Sequence, residues 1–419
     1  MISVQTLSQQ YWIRKSSPVT VSLTKCSFPD SLNGWAAGDS GIIIHTSNGG
    51  NNWNIQNSKF RYNIHEIFFF NKRYGWALGW LNNVDSGFYG TMFLKTTDGG
   101  LNWDTSRYSV PSIYFKGIYF LDSLNGFTGG NAGAIYTTSN GGNKWNACRM
   151  DSSLVYGFPV WNFNFLNRRI GFAGGGATDI TGVVWKTTNY GVNWSSASVS
   201  PEPLARIVAF DSLNAIGIGG DNEYGTSTIR TTNGGNNWIY DTTGAMGVPG
   251  TIYFRTRAEA WVPLTSYDPR FIVSRDSGRT WTQIPTPIRI NHLVFTDQRN
   301  GFAVGDSGVI LKFNYAVVAI RNENTNSVPG KYILYQNYPN PFNPVTKIKF
   351  DIPDLSSSNT VSIKVYNILG KEIITLINEN LPYGKYEVTF DGSLFSSGIY
   401  FCKLQAGNFS QTRKMILLK

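Results

Sequence analysis

Hydrophobic residues along this chain come in short runs broken by polar turns, as at Ile67, Phe68 and Phe69 or Leu293 and Val294. No long window carries the i, i+3, i+4, i+7 spacing of an amphipathic helix, so the pattern predicts an all-β protein. Each apolar run ends in a Phe, crosses a polar turn and reaches a Gly or small residue six positions on. Phe28 leads to Gly34 and Phe120 to Gly126, with variants starting at Phe69, Phe165, Phe254 and Phe295, and at Phe210, where the small residue, Ala215, comes one position sooner. A second strand follows each Gly (Trp35 to Gly38), and a third (Ile42 to Ile44) runs into a phrase ending in tryptophan. That phrase spans Thr46 to Trp53 and returns at Thr96–Trp103, Thr138–Trp145, Thr187–Trp194 and Thr231–Trp238, and in altered form up to Trp281. Its tryptophans are 50, 42, 49, 44 and 43 residues apart. A period of this length with one turn and one aromatic per unit predicts a propeller, four antiparallel strands to a blade.

The seventh unit, Phe295 to Phe313, lacks the tryptophan phrase. The chain opens with Tyr11, Trp12, Ile13 and Arg14, which look like the end of a missing one. Residues 11–15 are therefore expected to pair with the strand at 309–313 and close a seven-bladed ring over 11–314, leaving no open edge. Residues 315–331 are polar and turn-rich and read as a linker. Beyond them the alternation is strictly two, as in Val361, Ile363, Val365 and in Tyr386, Val388, Phe390. That predicts a small antiparallel β-sandwich over 332–419.

In the repeated phrase a short polar side chain can hold the turn, and the Trp packs between neighbouring sheets. The positions are Asn48 with Trp53, Asp98 with Trp103, Asn140 with Trp145, Asn189 with Trp194, Asn233 with Trp238 and Asp276 with Trp281. These repeats resemble the Asp-boxes of sialidases, sortilin-type receptors and some glycoside hydrolases. Asn in four of six copies makes poor cation ligands, so the phrase is read as a structural staple with no metal. The whole unit most resembles the photosystem II stability/assembly factor-like propellers, over roughly residues 11–314. That resemblance implies architecture more than activity.

The C-terminal region carries Tyr335, Gln336, Asn337, Tyr338, Pro339, Asn340, Pro341, Phe342, then Val365, Tyr366, Asn367, Leu369, Gly370, and a closing Lys414 to Lys419. It is similar to type A sorting domains of type IX secretion. The resemblance implies the export machinery as partner and an extracellular or outer-membrane-surface location. Such cargo should carry a Sec signal. Residues 1–10 have neither a basic start nor an apolar stretch and read as a leader remnant, so that signal is absent from the chain as it stands.

Net charge is +10, but no run of Lys or Arg suits a phosphate backbone, so nucleic acid is not an expected partner. No apolar run is long enough to span a membrane. Cys26, Cys148 and Cys402 are too scattered for a disulfide framework or a metal, and no cofactor motif is present. Polar residues just before the Phe of each inner strand, Lys25, His65, Glu66, Lys116, Arg206 and His292, would ring one mouth of an axial channel. Loops between second and third strands add Trp80, Tyr89, Tyr224 and Tyr267 on the same face. The expected function is a binding or adhesion module for a glycan or protein ligand. The alternative is a surface glycoside hydrolase, which would need two facing carboxylates; Glu66, Asp85, Asp179, Asp221, Glu223 and Asp268 could face one end of the ring, but no spacing marks a pair.

Overall fold

The computed structural model describes residues 11–83, 88–153, 155, 157–265, 268–314, 321–323, 329–353, 360–381, 383–392 and 395–418. Among them regular structure is β, apart from single turns of 3-10 helix at Asp39–Gly41 and Asp306–Gly308. The chain divides into two compact units, Arg14–Lys312 and Phe313–Lys419 with the first residues.

Sheet one comprises Leu23–Ser27, Gly34–Gly38, Ile43–Thr46 and Asn54–Gln56, in that spatial order. The same meander recurs from Ile64, Phe115, Val160, Leu204 and Tyr253, giving sheets two to six. Sheet four gains a fifth strand, Arg149–Met150, parallel to Asn193–Trp194. Sheet seven has Ile290–Phe295, Gly301–Gly305 and Ile310–Phe313, and its outermost strand is Trp12–Lys15 from the other end of the chain. Trp12 is 2% exposed and meets Phe313 edge-on at 5.2 Å.

The Phe-to-Gly landmark has a steric cause. The ring of Phe28 lies over Gly34 so closely that a Cβ there would fall 2.0 Å from it, and the same holds for Phe69 over Gly75 at 2.4 Å. The residue after the Gly then stacks on the Phe of the next sheet: Trp35 on Phe69 at 3.6 Å and Trp76 on Phe120 at 3.5 Å. Phe302 of sheet seven stacks in the same way on Phe28 of sheet one, at 3.8 Å and nearly parallel. Aromatic faces thus form the joints between sheets.

The tryptophan phrase is a hydrogen-bonded turn. Thr46 Oγ1 donates to Asn48 Oδ1 at 3.0 Å, Asn48 Oδ1 accepts Asn52 N–H at 3.0 Å, and Thr46 Oγ1 accepts Gly50 N–H at 3.0 Å. The same three bonds recur around Asp98, Asn140, Asn189, Asn233 and Asp276. Only the acceptor oxygen is used in all six, which is why Asn and Asp are interchangeable there. Trp53, Trp103, Trp145 and Trp194 each meet the Phe of their own sheet edge-on at 5.9 Å.

In the C-terminal unit one sheet runs Arg321–Glu323, Gly384–Asp391, Val345–Ile352, Ile333–Leu334, and a second runs Glu372–Asn380, Thr360–Asn367, Gly398–Ala406, Phe409–Leu417. Both contribute to one core, with Phe350, Val388 and Phe390 from the first and Ile363, Val365, Leu404 and Met415 from the second. Arg321–Glu323 pairs with Lys385–Glu387, so a strand forms inside the stretch read from sequence as a linker. Polar residues can form it because an edge strand needs backbone pairing more than side-chain burial.

Candidate functional site: a polar cavity where the inner strands meet

Six inner strands share a bulge one residue after their first pair. The register shifts between Leu23 and Lys25, Ile64 and Glu66, Phe115 and Gly117, Val160 and Asn162, Leu204 and Arg206, and Ile290 and His292. A bulge re-aims the side chains around it, and here it separates two columns that sequence reading had merged.

The extra residue faces a neighbouring sheet or its own sheet's edge. Thr24 Oγ1 donates to Ile64 O at 2.7 Å and Asn291 Nδ2 to Leu23 O at 3.0 Å. Lys116 Nζ lies 4.4 Å from the Trp161 ring, and His65 stacks on Trp80 at 3.8 Å. Of the expected rim residues, His65 thus packs on a Trp of its own sheet and the exposed Lys116 lies over a ring of the neighbouring one, and neither lines the cavity where the inner strands meet.

The residue after the bulge faces inward. Glu66, Asn162, Arg206 and His292 line a cavity of about 260 Å³, together with Cys26, Tyr119 and Tyr253. Lys25 stands behind them with its Nζ 3.7 Å from Glu66 Oε2. Asn162 is fully engaged in structure, donating to Gly174 O, Leu204 O and Ala205 O and accepting Ile207 N–H at 2.9 Å.

The electrostatics follow from burial. Desolvation pushes the Glu66 carboxyl up, against the pull of Lys25 and Arg206. Burial drives His292 well below the ordinary histidine range, and Lys25 and Arg206 add to the shift. His292 Nδ1 accepts Cys26 N–H at 3.4 Å and faces Cys26 Sγ at 3.4 Å. Burial also pushes the Cys26 thiol far up, so sulfur keeps its proton and the pair is a neutral thiol on a neutral imidazole. An Nδ1 that accepts leaves the ring hydrogen on Nε2. Arg206 lays its guanidinium 4.1 Å from the Tyr253 ring, and its Nε has no partner among the described residues. The cavity therefore offers a cation with a spare donor, a carboxyl group and a neutral imidazole. Such a set holds a polar group; it lacks an activated nucleophile.

The four aromatics expected on loops separate. Trp80 lies in the strand Gly75–Asn83 and donates Nε1–H to Phe115 O at 2.8 Å, because the hairpin there is longer than the sequence suggested. Tyr89 lies in the returning strand Phe88–Thr96. Tyr224 is 64% exposed in a turn. Tyr267 and Asp85 lie outside the described residues. Near Tyr224, one oxygen each from Asp179, Glu202 and Asp221 come within 4.8 Å of one another. Burial raises the Glu202 carboxyl against the pull of Asp179 N–H, which its Oε2 accepts at 3.2 Å, and the carboxylates of Asp221, Asp179 and Glu223 add to the rise. Sequence reading missed Glu202, which stands in no motif and joins the others only through folding.

An all-β chain built from repeated four-stranded meanders, with its inner strands around a polar cavity, is propeller-like, and the comparisons agree. Residues 336–418 match the secretion system C-terminal sorting domain family. The chain is 23% identical over 338 residues to the photosystem II stability/assembly factor HCF136 of Arabidopsis thaliana, covering 71% of this chain and 76% of that protein. It is 24% identical over 332 residues to the photosystem II assembly lipoprotein Ycf48 of Synechococcus sp. (strain CC9902), covering 74% and 90%. Among solved structures, YCF48 bound to D1 peptide aligns with TM-score 0.56 at 20% identity, over 74% of this chain and 98% of that one. YCF48 from Cyanidioschyzon merolae aligns with TM-score 0.57 at 18% identity, over 73% and 99%. The WD40 repeats of RRP9 align with TM-score 0.54 at 12% identity, over 72% and 97%, which reflects shared fold alone. The sorting domain indicates export to the cell surface or the extracellular space. No helix among the described residues is long and apolar enough to cross a membrane.

Proposed function

We propose that this protein is an exported binding module. Its propeller has seven blades, the last completed by Trp12–Lys15, and its two-sheet C-terminal sandwich over 332–419 is the part the secretion machinery engages. The ligand is an extended peptide segment of a partner protein, which enters the axial cavity at Glu66, Arg206 and His292. The observation that carries this reading is the cavity itself, where all the inner strands converge and a cation keeps a spare donor. The peptide-bound state of the YCF48 structure supports peptide as the ligand class. Neither the relatives nor the solved structures named above support the glycan ligand or the glycoside-hydrolase alternative.

The test is a random peptide library panned on the full chain, run beside a glycan array. Bound peptides that release from Arg206→Met and His292→Asn variants are the expected result. Binding that both variants leave intact would remove the axial cavity from the reading. Glycans bound in place of peptides would overturn the ligand class. Export is tested separately: a chain ending at Lys331 should stay inside a type IX-competent host that secretes the full chain.

A further inference from the structure

The second C-terminal sheet buries one face and leaves the other half-exposed. Val365, Cys402, Leu404 and Met415 point into the core at 0–1% exposure. On the opposite face Tyr366 pairs with Phe401, Lys364 with Lys403, and Phe401 with Lys414. An aromatic pair is thus ringed by three lysines. Lys364 is bonded to Glu372 at 2.9 Å, whereas Lys403 and Lys414 have no acidic partner among the described residues.

At one end of this face the chain turns through Asn367–Lys371. Asn367 Oδ1 accepts both Leu369 N–H and Lys371 N–H at 3.0 Å, which fixes the turn. The turn projects Ile368 and Leu369 into solvent at 69% and 86% exposure. Ile368 borders the same shallow hollow as Phe401, Lys403 and Thr412, so the aliphatic tip and the basic aromatic face are one continuous surface.

We propose that this surface docks the C-terminal unit onto an anionic lipid membrane, with Ile368 and Leu369 entering the acyl boundary and Lys403 and Lys414 facing phosphate. Aliphatics on a projecting turn suit a fluid layer that closes around them, and aromatic rings favour the interfacial depth just behind. The cations are all lysine, a residue that protein–protein interfaces disfavour and anionic leaflets attract. The inference is independent of the axial cavity and its ligand.

The test is co-sedimentation of the full chain with vesicles of phosphatidylcholine alone and of phosphatidylcholine with phosphatidylglycerol. Binding should be about tenfold tighter to the anionic vesicles and should weaken as salt rises. Lys403→Glu with Lys414→Glu should lose about tenfold. Ile368→Asn with Leu369→Asn should lose binding that salt does not restore, and both pairs of changes are solvent-facing, so melting curves should stay unchanged. Equal binding to both vesicle types, no binding to either, or binding that both double variants retain would overturn the proposal. Capture by a purified outer-membrane protein with no vesicle binding would also overturn it and assign the face to a protein partner.

Discussion

Lys312 donates its Nζ to the carbonyl of Gly49 at 2.8 Å, joining the last complete strand of the repeat region to its first tryptophan phrase. The same reach links earlier neighbours. Trp35 Nε1 donates to Gly99 O, Trp76 Nε1 to Gly141 O, and Arg230 Nη1 to Gly278 O. Sheet seven therefore treats sheet one as its next neighbour, as a closed ring requires. The phrase proves to be the socket into which the preceding sheet plugs.

Closure gives the first prediction. Trp12→Ala should lower stability by about 3–5 kcal/mol, the usual cost of emptying a buried aromatic site. Lys312→Met should cost less, about 1 kcal/mol, because one backbone carbonyl loses its donor. Urea denaturation of both variants checks the order, and a harmless Trp12→Ala would show that the first strand does not complete the last sheet.

Asp98 Oδ1 makes the bonds the phrase shares, but its Oδ2 also accepts Asn102 Nδ2–H at 2.8 Å, so Asp98→Asn should cost up to about 1 kcal/mol at pH 7, less than Asp98→Ala at about 1–2 kcal/mol. Hydrogen bonding by Asn102 N–H holds the Asp98 carboxyl below its usual range. A depressed carboxyl stabilises above its unfolded pKa and loses that contribution as pH falls through the folded value. The Asn variant should therefore lack this part of the acid sensitivity, measurable as a smaller drop in melting temperature between pH 6 and pH 3.

Histidines set a second pH dependence. Burial holds His292 far below the ordinary value of about 6.5 and brings His65 to about 4. Both are neutral in the folded state, so their contribution is complete above the unfolded pKa and is lost as pH falls below it. Wild-type protein should lose stability from pH 7.5 to pH 5. A His65→Asn, His292→Asn double variant should lose less, as followed by chemical denaturation at both pH values.

Glu202 acts in the opposite sense. Its raised carboxyl favours the protonated form in the folded state, so stability is complete below the unfolded pKa and falls as pH rises through the folded one. Glu202→Gln should melt higher than wild type at pH 8 and equal to it at pH 4. A lower melting point for the variant at pH 8 would show that the Asp179 N–H bond to Glu202 Oε2 outweighs burial and the neighbouring carboxylates.

Gly34→Ala tests the aromatic joint. A Cβ there collides with the Phe28 ring, whereas at Gly330 it meets nothing within 4 Å. The first change should cost about 1–3 kcal/mol and the second almost nothing, by thermal melting.

The sequence by itself determined the all-β class, the repeat period, the propeller-like architecture and the sorting domain. Each of these rests on local chemistry that every unit restates: a turn held by Asn or Asp, a Gly under a Phe ring, alternation of apolar and polar positions. What only tertiary structure decided is which polar residues share a space. The bulge after the first residue of the inner strands sends Glu66 and Arg206 to the cavity, and turns His65 and Lys116 away from it onto the rings of Trp80 and Trp161. A bulge is one unpaired residue in a ladder; it spaces the buried apolar positions three and then two apart, as at Ile64, Ile67 and Phe69, but a break that short does not say which polar neighbour turns inward. Glu202 likewise met Asp179 and Asp221 only when two sheets came together. Strand-forming signals are local, whereas a site assembled from neighbouring sheets depends on how those sheets are turned toward one another.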